Sequence, residues 1–355
     1  MNNYIYEIFI ILLILCSNFI NTSDNIHKNI DLTNIENTNV MSNKRNLILG
    51  VIVKFSWIKI SPFFKSLIRA NYQNCDIIMF VNWVSPIVIK YLESFGIIVY
   101  KIPNEYKDKK IDRFRWKLYT SFLKEKKDKY NLVMSLDIRD TIIQDNIFKF
   151  YENHKPFLGF SIEDLNLNQK DNKEWIVNSF GIELHKTIMM ERIICAGTIW
   201  GTANIFFEFA NKLLETLLAY PKATDQCIVN YLIYHEHYLK DFLVRSDDYG
   251  LVMTIGFTLR ENIILDSQKN ILNFNGQIAP IVHQYDRFPD ILKIIVNKYS
   301  PESINAKIKS NTLIIFILLE CFTIALLFKS IIAFYSVKKC SKPSILTNKI
   351  NYYQI

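Results

Sequence analysis

The sequence predicts an α/β fold, with an open, mostly parallel sheet, helices on both of its faces, and a transmembrane helix near the C-terminus. Short apolar segments alternate with amphipathic ones along residues 46–136, which is the pattern of a parallel sheet. Residues 312–335 form an apolar segment long enough to cross a bilayer. Half of the 355 residues (50%) are hydrophobic and Gly and Pro number only 9 each, so disordered and fibrous classes are excluded.

The first half of the predicted domain alternates strand and helix. Its strands are continuous apolar runs, as expected for strands buried on both faces, at residues 46–55, 76–81, 97–102 and 131–136. The helices between them are predicted at residues 62–71, 85–95 and 112–127. Pro62 is placed in the first turn of its helix, and Gly96 ends the next one. Strands joined by right-handed crossovers give an open, layered sheet.

The second half is less regular. Strands are predicted at residues 156–162 and 193–200, and helices at residues 203–220 and 224–238, with Pro221 between the helices. Short strands are expected between residues 251 and 282. No internal repeat is present, so residues 46–300 are interpreted as one domain.

The N-terminal residues 1–20 are interpreted as a signal peptide or an N-terminal anchor. Their apolar run, from Ile8 to Cys16, is short for a bilayer span and typical of a signal peptide. No Lys or Arg precedes that run, which leaves an uncleaved anchor open. Residues 21–45 are rich in Asn and poor in apolar residues, which predicts a flexible arm.

Membrane insertion is also predicted at the C-terminal end. Within residues 312–335 only Glu320 and Lys329 are charged, and Glu320 would need a partner or a proton in a bilayer. Residues 336–355 contain several Lys and no acid, so the positive-inside rule places this tail in the cytoplasm. Residues 21–311 would then lie in the lumen or outside. The alternative is a buried core helix.

Charge and motif content exclude several classes of protein. The net charge of +8, from 42 basic and 34 acidic residues, is spread without a dense basic block, so no nucleic-acid partner is expected. The sequence has no GxxxxGK[ST], no GxGxxG after its first strand, no HExxH and no GxSxG. P-loop ATPases, dinucleotide oxidoreductases, zincins and typical α/β-hydrolases are therefore disfavoured.

The most informative stretch follows the strand at residues 131–136, where the chain reads Asp137-Ile138-Arg139-Asp140. Ligands of α/β sheets gather at the carboxyl ends of strands, which is where these acids lie. In a continuing strand the two carboxylates would point to opposite faces, so they converge only if the chain turns after Leu136. They would then form an oxygen site for Mg²⁺ or Mn²⁺. The alternative is a strand-end turn in which Arg139 pairs with one Asp.

Three further segments contain candidate residues on weaker grounds. His283 follows an apolar strand and is either a metal ligand or a hydrogen-bonded structural residue. Asp225 follows Thr224 and is either a site residue or a first-turn acid of a capped helix. Gly197 and Gly201 either allow a substrate to approach the backbone or mark bulges.

Taken in order, these motifs resemble a nucleotide-sugar glycosyltransferase of the GT-A fold, in particular eukaryotic families with a D-x-R-D form of the DxD signature. The likeness covers roughly residues 46–290. A helix with an Arg-rich start, DRFRWKLYTSFL (112–123), precedes the strand, and DIRDTIIQ (137–144) is similar to "DVRDVVFQ". A small-residue strand with an AG…G pattern, an Asp-Gln helix start and the motif VHQYDR (282–287) follow. Cys195, Thr141 and Ile142 depart from the family pattern.

The resemblance implies specific roles. Asp137, Asp140 and His283 would hold Mn²⁺ or Mg²⁺, which would bridge the two phosphates of the donor and neutralise charge on the leaving nucleotide diphosphate. Asp225 would be the catalytic residue, as a base or by orienting the acceptor. The expected donor-binding residues are Arg113, Arg115, Asp137, Arg139 and Gly197.

The predicted function is therefore a metal-dependent glycosyltransferase of a secretory-pathway membrane (Golgi or endoplasmic reticulum), with a lumenal catalytic domain. Its partners would be a nucleotide-sugar donor and a glycan, protein or lipid acceptor, with the membrane bound through the C-terminal helix. Two alternatives remain. One is a non-catalytic lumenal or surface binding protein on a glycosyltransferase-like scaffold, and the other is a different metal- and nucleotide-dependent enzyme, such as a nucleotidyltransferase or phosphohydrolase.

Overall fold

The computed structural model describes residues 44–103, 106, 110–151, 155–245 and 250–299. The predicted leader, nearly all of the predicted arm, the predicted membrane span and the basic tail lie outside these residues. Among the residues described, no helix combines the length and the apolar character that a bilayer span requires.

The strands form one large and one small sheet. They are β1 (Arg45–Val53), β2 (Cys75–Asn82), β3 (Ile98–Lys101), β4 (Tyr130–Leu136), β5 (Thr141–Ile143), β6 (Leu158–Asn166), β7 (Arg192–Thr202), β8 (Leu243–Arg245), β9 (Val252–Thr254) and β10 (Ile281–His283). The large sheet has the order β3-β2-β1-β4-β7-β6-β8, and the small one β5-β10-β9. Strands β1 to β4 run parallel, whereas β7 is antiparallel to both β4 and β6. The predicted mostly parallel sheet is confirmed.

Helices cover both faces of the large sheet. They are α1 (Trp57–Arg69), α2 (Pro86–Glu93), α3 (Ile111–Lys126), α4 (Lys170–Phe180), α5 (Ile182–Ile188), α6 (Ala203–Ala219), α7 (Asp225–Asn230) and α8 (Pro289–Lys298). Alternate residues of β1 belong to different hydrophobic cores: Leu47 and Leu49 pack with α3 and α6, while Ile48 and Ile52 pack with α1 and α2. Burial on both faces is the reason that this strand is continuously apolar.

Helix α1 corrects one sequence prediction. It begins at Trp57, and Pro62 lies inside it rather than in its first turn. Proline has no N–H to bind the carbonyl of Ile58. The hydroxyl of Ser61 donates to that carbonyl instead, at 3.3 Å. Trp57 is buried in the hydrophobic core that α1 and α2 form with the large sheet. This packing outweighs the local preference against an internal proline.

The second half departs further from the prediction. Helices α4 and α5 were not predicted, because their segment is polar and carries only a narrow apolar stripe. The helix predicted at residues 224–238 is regular only over Asp225–Asn230 and continues as a π-helical turn, Tyr231–His235. Between residues 251 and 282, β9 and β10 are the named strands, and they extend the small sheet beside β5.

Candidate active site

The chain bends directly after β4, which is the condition that the sequence set for the two aspartates to converge. Strand β4 ends at Leu136, residues 138–140 form bends, and β5 begins at Thr141. The amide of Asp137 donates to the carbonyl of Gly197 on β7 at 2.8 Å. Strand β5 then pairs with β10 in a register that sets Thr141 opposite His283. The two pairings bring Asp137, Asp140 and His283 together.

These three residues present ligand atoms that all lie within 4.8 Å of one another. His283 Nε2 is 3.6 Å from Asp137 Oδ2 and 3.6 Å from Asp140 Oδ1. The other oxygen of each carboxylate is held by an arginine: Arg115 Nη1 lies 2.5 Å from Asp137 Oδ1, and Arg139 Nη2 lies 2.7 Å from Asp140 Oδ2. Each carboxylate is therefore fixed by one oxygen and offers the other to the centre of the cluster.

Two features of the cluster fit the binding of a cation. Among the residues described, His283 Nε2 is a buried polar atom without a hydrogen-bond partner. Such an atom is costly unless something binds it. A Cβ atom at Gly197 would lie 2.4 Å from His283 Cε1 and 2.7 Å from Asp137 Oδ2, so only glycine leaves this space open. Two carboxylate oxygens and an imidazole nitrogen are a suitable ligand set for a divalent cation.

Buried hydroxyl and thiol groups contact the Nδ1 side of the His283 ring, which faces away from the two carboxylates. His283 Nδ1 lies 3.4 Å from Thr254 Oγ1 and 3.4 Å from Cys195 Sγ. The hydroxyl of Thr254 is 2.7 Å from Ser161 Oγ, which is 2.6 Å from Thr198 Oγ1. In the neutral ring, a proton on Nδ1 that is donated to Thr254 leaves the lone pair of Nε2 facing the carboxylates.

Electrostatics make the cluster strongly charged. Burial raises the pKa of Asp140, but His283 and Arg139 lower it by more, so that its pKa lies well below the usual range. The pKa of Asp137 is also lowered, because Arg115 and His283 outweigh the effect of burial. Burial lowers the pKa of His283, whereas Cys195 and the two carboxylates raise it well above its ordinary value. A cation bound by His283 Nε2 would require the imidazole to be deprotonated.

Arg115 connects the cluster to Asp225. The Arg115 guanidinium is buried and donates to Asp225 Oδ2 from Nε at 2.8 Å, in addition to its bond with Asp137. The indole of Trp116 donates to the same Asp225 oxygen at 3.0 Å. Burial raises the pKa of Asp225, and Arg115 and Trp116 offset part of that rise. Thr224 is the N-cap of α7, accepting from the amide of Cys227 at 3.3 Å, and Asp225 is an acid in the first turn, as the alternative interpretation expected. Its carboxylate nevertheless bonds Arg115 and Trp116 beside the cluster.

The other predicted donor-binding arginines lie in different places. Arg113 donates to the carbonyls of Leu217, Tyr220 and Ala223 at the C-terminal end of α6, and it lines neither of the cavities beside the cluster. Arg139 bonds Asp140 and lies 3.5 Å from Asp286 Oδ2. The structure thus brings Arg115, Arg139 and Gly197 to the cluster but not Arg113.

Two cavities adjoin the cluster. One, of ≈ 200 Å³, lies at the carboxyl ends of β1 and β4, and its apolar lining includes Val51, Phe55 and Tyr119. The other, of ≈ 420 Å³, extends from the cluster to α4 and is within the size range of small-molecule sites. Asp137 and Arg115 line both cavities.

Several residues of the site were not predicted from the sequence. Ser161, Thr198 and Thr254 are buried hydroxyls in apolar strands, and a lone polar residue in such a strand is the signal that would have identified them. Gln226 belongs to the Asp-Gln helix start noted in the sequence, but its role was not predicted: its Oε1 accepts from the amide of Ala196 on β7 at 2.8 Å, and its Nε2 donates to the carbonyl of Ile194 at 2.6 Å. No local pattern predicts that contact.

Comparison with known proteins gives similarity to solved structures only. No protein-family model and no curated protein matches the chain. The galactosyltransferase LgtC, in complex with donor and acceptor sugar analogues, is similar at 14% identity over 74% of this chain and 99% of that chain (TM-score 0.43). The bifunctional glycosyltransferase WbbM is similar at 12% identity over 74% of this chain but only 51% of WbbM (TM-score 0.48).

Core-mannan synthase A from Aspergillus fumigatus, solved in an Mn/GDP form, is similar at 11% identity over 60% of this chain and 75% of that chain (TM-score 0.36). Identities and TM-scores at this level transfer no residue role to this chain.

Proposed function

We propose that the chain is a metal-dependent glycosyltransferase that moves a sugar from a nucleotide-sugar donor to an acceptor. The observation that carries the proposal is the position of the Asp137, Asp140 and His283 cluster between two cavities: Asp137 lines both of them, Asp140 lines the smaller and His283 the larger. A group-transfer enzyme with two substrates needs a cavity for each of them and the reacting atoms between. A cation site at that junction is suited to a phosphate-bearing donor.

Asp137 Oδ2, Asp140 Oδ1 and His283 Nε2 would hold the cation, Mn²⁺ or Mg²⁺. When bound, the ion would supply Lewis-acid stabilisation of the departing nucleotide diphosphate. The imidazole nitrogen makes the set less suited to Mg²⁺, which demands oxygen ligands, so we expect Mn²⁺ to bind more tightly. Arg115 and Arg139 keep the two carboxylates ionised and oriented.

The two cavities are assigned by their lining. The smaller one offers apolar walls and the ring of Tyr119 beside the cluster, which fits the nucleoside of the donor. Asp225 lines the larger one. The described hydrogen bonds from Arg115 and Trp116 all end on Asp225 Oδ2, so Oδ1 is the oxygen that would accept a proton from, or orient, an acceptor hydroxyl.

The test is metal-dependent release of nucleoside diphosphate by the full chain in detergent, with UDP-glucose, UDP-galactose, UDP-N-acetylglucosamine and GDP-mannose as donors and Mn²⁺ as the metal. We expect one donor to be hydrolysed slowly, and Asp137→Asn and Asp140→Asn each to lower the rate by at least about 100-fold. Asp145→Asn is the matched control, because Asp145 pairs with Lys149 on the surface and lies outside the cluster.

Each alternative gives a different result. A folded chain that binds Mn²⁺ but releases nothing from any donor supports a non-catalytic binding protein. Release of a nucleoside monophosphate instead of a diphosphate supports a nucleotidyltransferase or phosphohydrolase.

The location in a secretory-pathway membrane is also a proposal, and it rests on the sequence. The apolar residues 312–335 and the basic tail would anchor the chain with its catalytic domain in the lumen of the Golgi or endoplasmic reticulum. A tag placed after Ile355 should be digested by external protease in sealed microsomes. Protection of that tag would contradict a cytoplasmic tail.

A further inference from the structure

We propose that the N-terminal half of helix α4 forms the acceptor subsite and that the acceptor ends in an uncharged pyranose. This inference rests on the proposed function, since it names the second substrate of the same site. Its elements are the indole of Trp175, the side-chain amide of Asn172 and the charge pattern of α4.

Trp175 provides a flat apolar surface in the wall of the larger cavity. Its side chain is 37% exposed, and it lines the same cavity as Gly197 and His283. Asp171 and Asn172 also line this cavity, at positions four and three residues before Trp175 respectively, which puts all three on one face of α4. The C–H faces of a pyranose are apolar, so they stack on an indole, while the ring hydroxyls point sideways to polar groups.

Asn172 supplies a polar group that lacks a partner. Its side chain is only 4% exposed, and its Oδ1 has no hydrogen-bond partner among the residues described. Its orientation is fixed, because Gln169 Oε1 accepts both from the Asn172 amide N–H and from Asn172 Nδ2, each at 3.0 Å. The Nδ2 atom is thus turned to Gln169, and Oδ1 remains as an acceptor. A sugar hydroxyl that donates a hydrogen bond to Asn172 Oδ1 would satisfy this buried oxygen.

The charges on α4 favour a neutral acceptor. Of its charged residues, Lys170, Lys173 and Glu174 do not line the cavity, whereas Asp171 does. The wall beside Trp175 therefore offers amides and a carboxylate but no cation from this helix. The lining of the whole cavity contains five acids but only two arginines, Arg115 and Arg287, and Arg115 is already paired with two of the acids. A carboxylate or phosphate on the acceptor would therefore meet an excess of negative charge, and like charges repel.

One cavity connects the proposed acceptor subsite on α4 with the proposed reaction site. Trp175 and Asn172 line the same cavity as Asp225 and as two members of the cluster, Asp137 and His283. A sugar stacked on Trp175 would direct one hydroxyl along the cavity toward Asp225 Oδ1. The structure thus assigns recognition to α4 and the reaction to the ends of β4 and β10.

The experiment measures transfer rates of the full chain in detergent, with Mn²⁺ and the donor that it hydrolyses. The acceptor probes are methyl β-D-glucopyranoside, methyl β-D-galactopyranoside and methyl α-D-mannopyranoside. The charged comparison is methyl β-D-glucopyranosiduronic acid, and a Ser/Thr peptide is the non-sugar probe. We expect saturable transfer to at least one neutral glycoside, and weaker transfer to the glucuronide than to the glucoside.

The variants separate stacking from folding. Trp175→Leu, which keeps apolar volume but removes the flat ring, should raise the acceptor KM about tenfold or more, whereas Trp175→Phe should keep it within about threefold. Asn172→Leu, which removes the acceptor oxygen, should also raise this KM about tenfold. Phe95→Ala is the control, because Phe95 is an exposed aromatic (44%) outside the cavities described. The Phe95→Ala substitution should leave the acceptor KM unchanged.

The two proposals fail in different ways. If the wild-type chain releases no nucleoside diphosphate from any donor, the proposed function fails and this inference falls with it. If the wild-type chain hydrolyses a donor but transfers only to the peptide or the glucuronide, the glycosyltransferase proposal stands and this one is overturned. Equal acceptor KM values for Trp175→Leu and Trp175→Phe would also overturn it.

Discussion

Substituting Gly197 by alanine tests whether the Asp137, Asp140 and His283 cluster is a cation site. The new Cβ would lie 2.4 Å from His283 Cε1 and 2.8 Å from His283 Nε2, whereas ordinary contact begins at 3.4 Å. The imidazole must therefore retreat by about 1 Å, because the backbone of residue 197 is held by Asp137, whose amide donates to its carbonyl at 2.8 Å.

A shift of this size is large for a metal ligand, since functional groups must stay within about 0.5 Å of their working positions. We expect the Mn²⁺ affinity to fall by about 10- to 100-fold, as for loss of a group that orients a ligand. At a Mn²⁺ concentration 100 times the wild-type Kd, the ion stabilises the wild type by about 2.7 kcal/mol, and a 100-fold loss of affinity would leave about 0.4 kcal/mol.

The assay is thermal unfolding with and without Mn²⁺, together with calorimetric titration of the ion. Gly201→Ala is the matched control, because Gly201 is on the same strand and a Cβ there would lie 2.5 Å from the carbonyl oxygen of Phe157. Both variants should lose about 1–3 kcal/mol of stability through overpacking. Only Gly197→Ala should lose the stabilisation by Mn²⁺. The same Mn²⁺-induced stabilisation in both variants would refute a cation site at this cluster.

Three further substitutions test the groups around the cluster. Arg115→Met should destabilise the chain by about 3–5 kcal/mol in urea unfolding, because it removes one partner of a buried ion pair; a loss below about 1 kcal/mol would show that the pair is not structural. Thr254→Val keeps the shape but removes the hydroxyl beside His283 Nδ1, and calorimetry should show Mn²⁺ affinity lowered by about tenfold. Unchanged affinity would mean that the hydroxyl does not orient the ring. Gln226→Leu leaves the backbone amide of Ala196 without a partner, whereas the carbonyl of Ile194 still accepts from Asn230 Nδ2, so the substitution should cost roughly 1–3 kcal/mol in urea unfolding. Stability equal to that of the wild type would show that other groups replace the amide.

Much of the fold could be predicted because its signal is local. Strands β1, β2 and β4 are apolar runs that are buried on both faces, and this pattern is visible in a few residues. Helix α1 shows the limit of local rules, since Pro62 lies in its interior and the packing of Trp57 decides where the helix begins. Helices α4 and α5 have too narrow an apolar stripe for their existence to be predicted.

The candidate site was predicted in part for the same reason. Asp137 and Asp140 could be identified because they follow a buried strand directly, and His283 because it ends another apolar run. Arg113 could not be distinguished from Arg115 by sequence, since the two residues differ only in which side of α3 they occupy. In the structure Arg115 donates to Asp137 in the cluster, whereas Arg113 donates to the carbonyl of Tyr220, just after α6.

By itself, the sequence determined that a mostly parallel α/β sheet would form and that two acids would stand at the carboxyl end of β4, because hydrophobic periodicity and strand ends are properties of neighbouring residues. Only the tertiary structure decided that both carboxylates face His283, that Gly197 leaves room between them, and that Thr254 supports the ring. These contacts depend on β4 pairing with β7 and β5 with β10. Such pairings join distant parts of the chain, and their register is set by how the whole core packs.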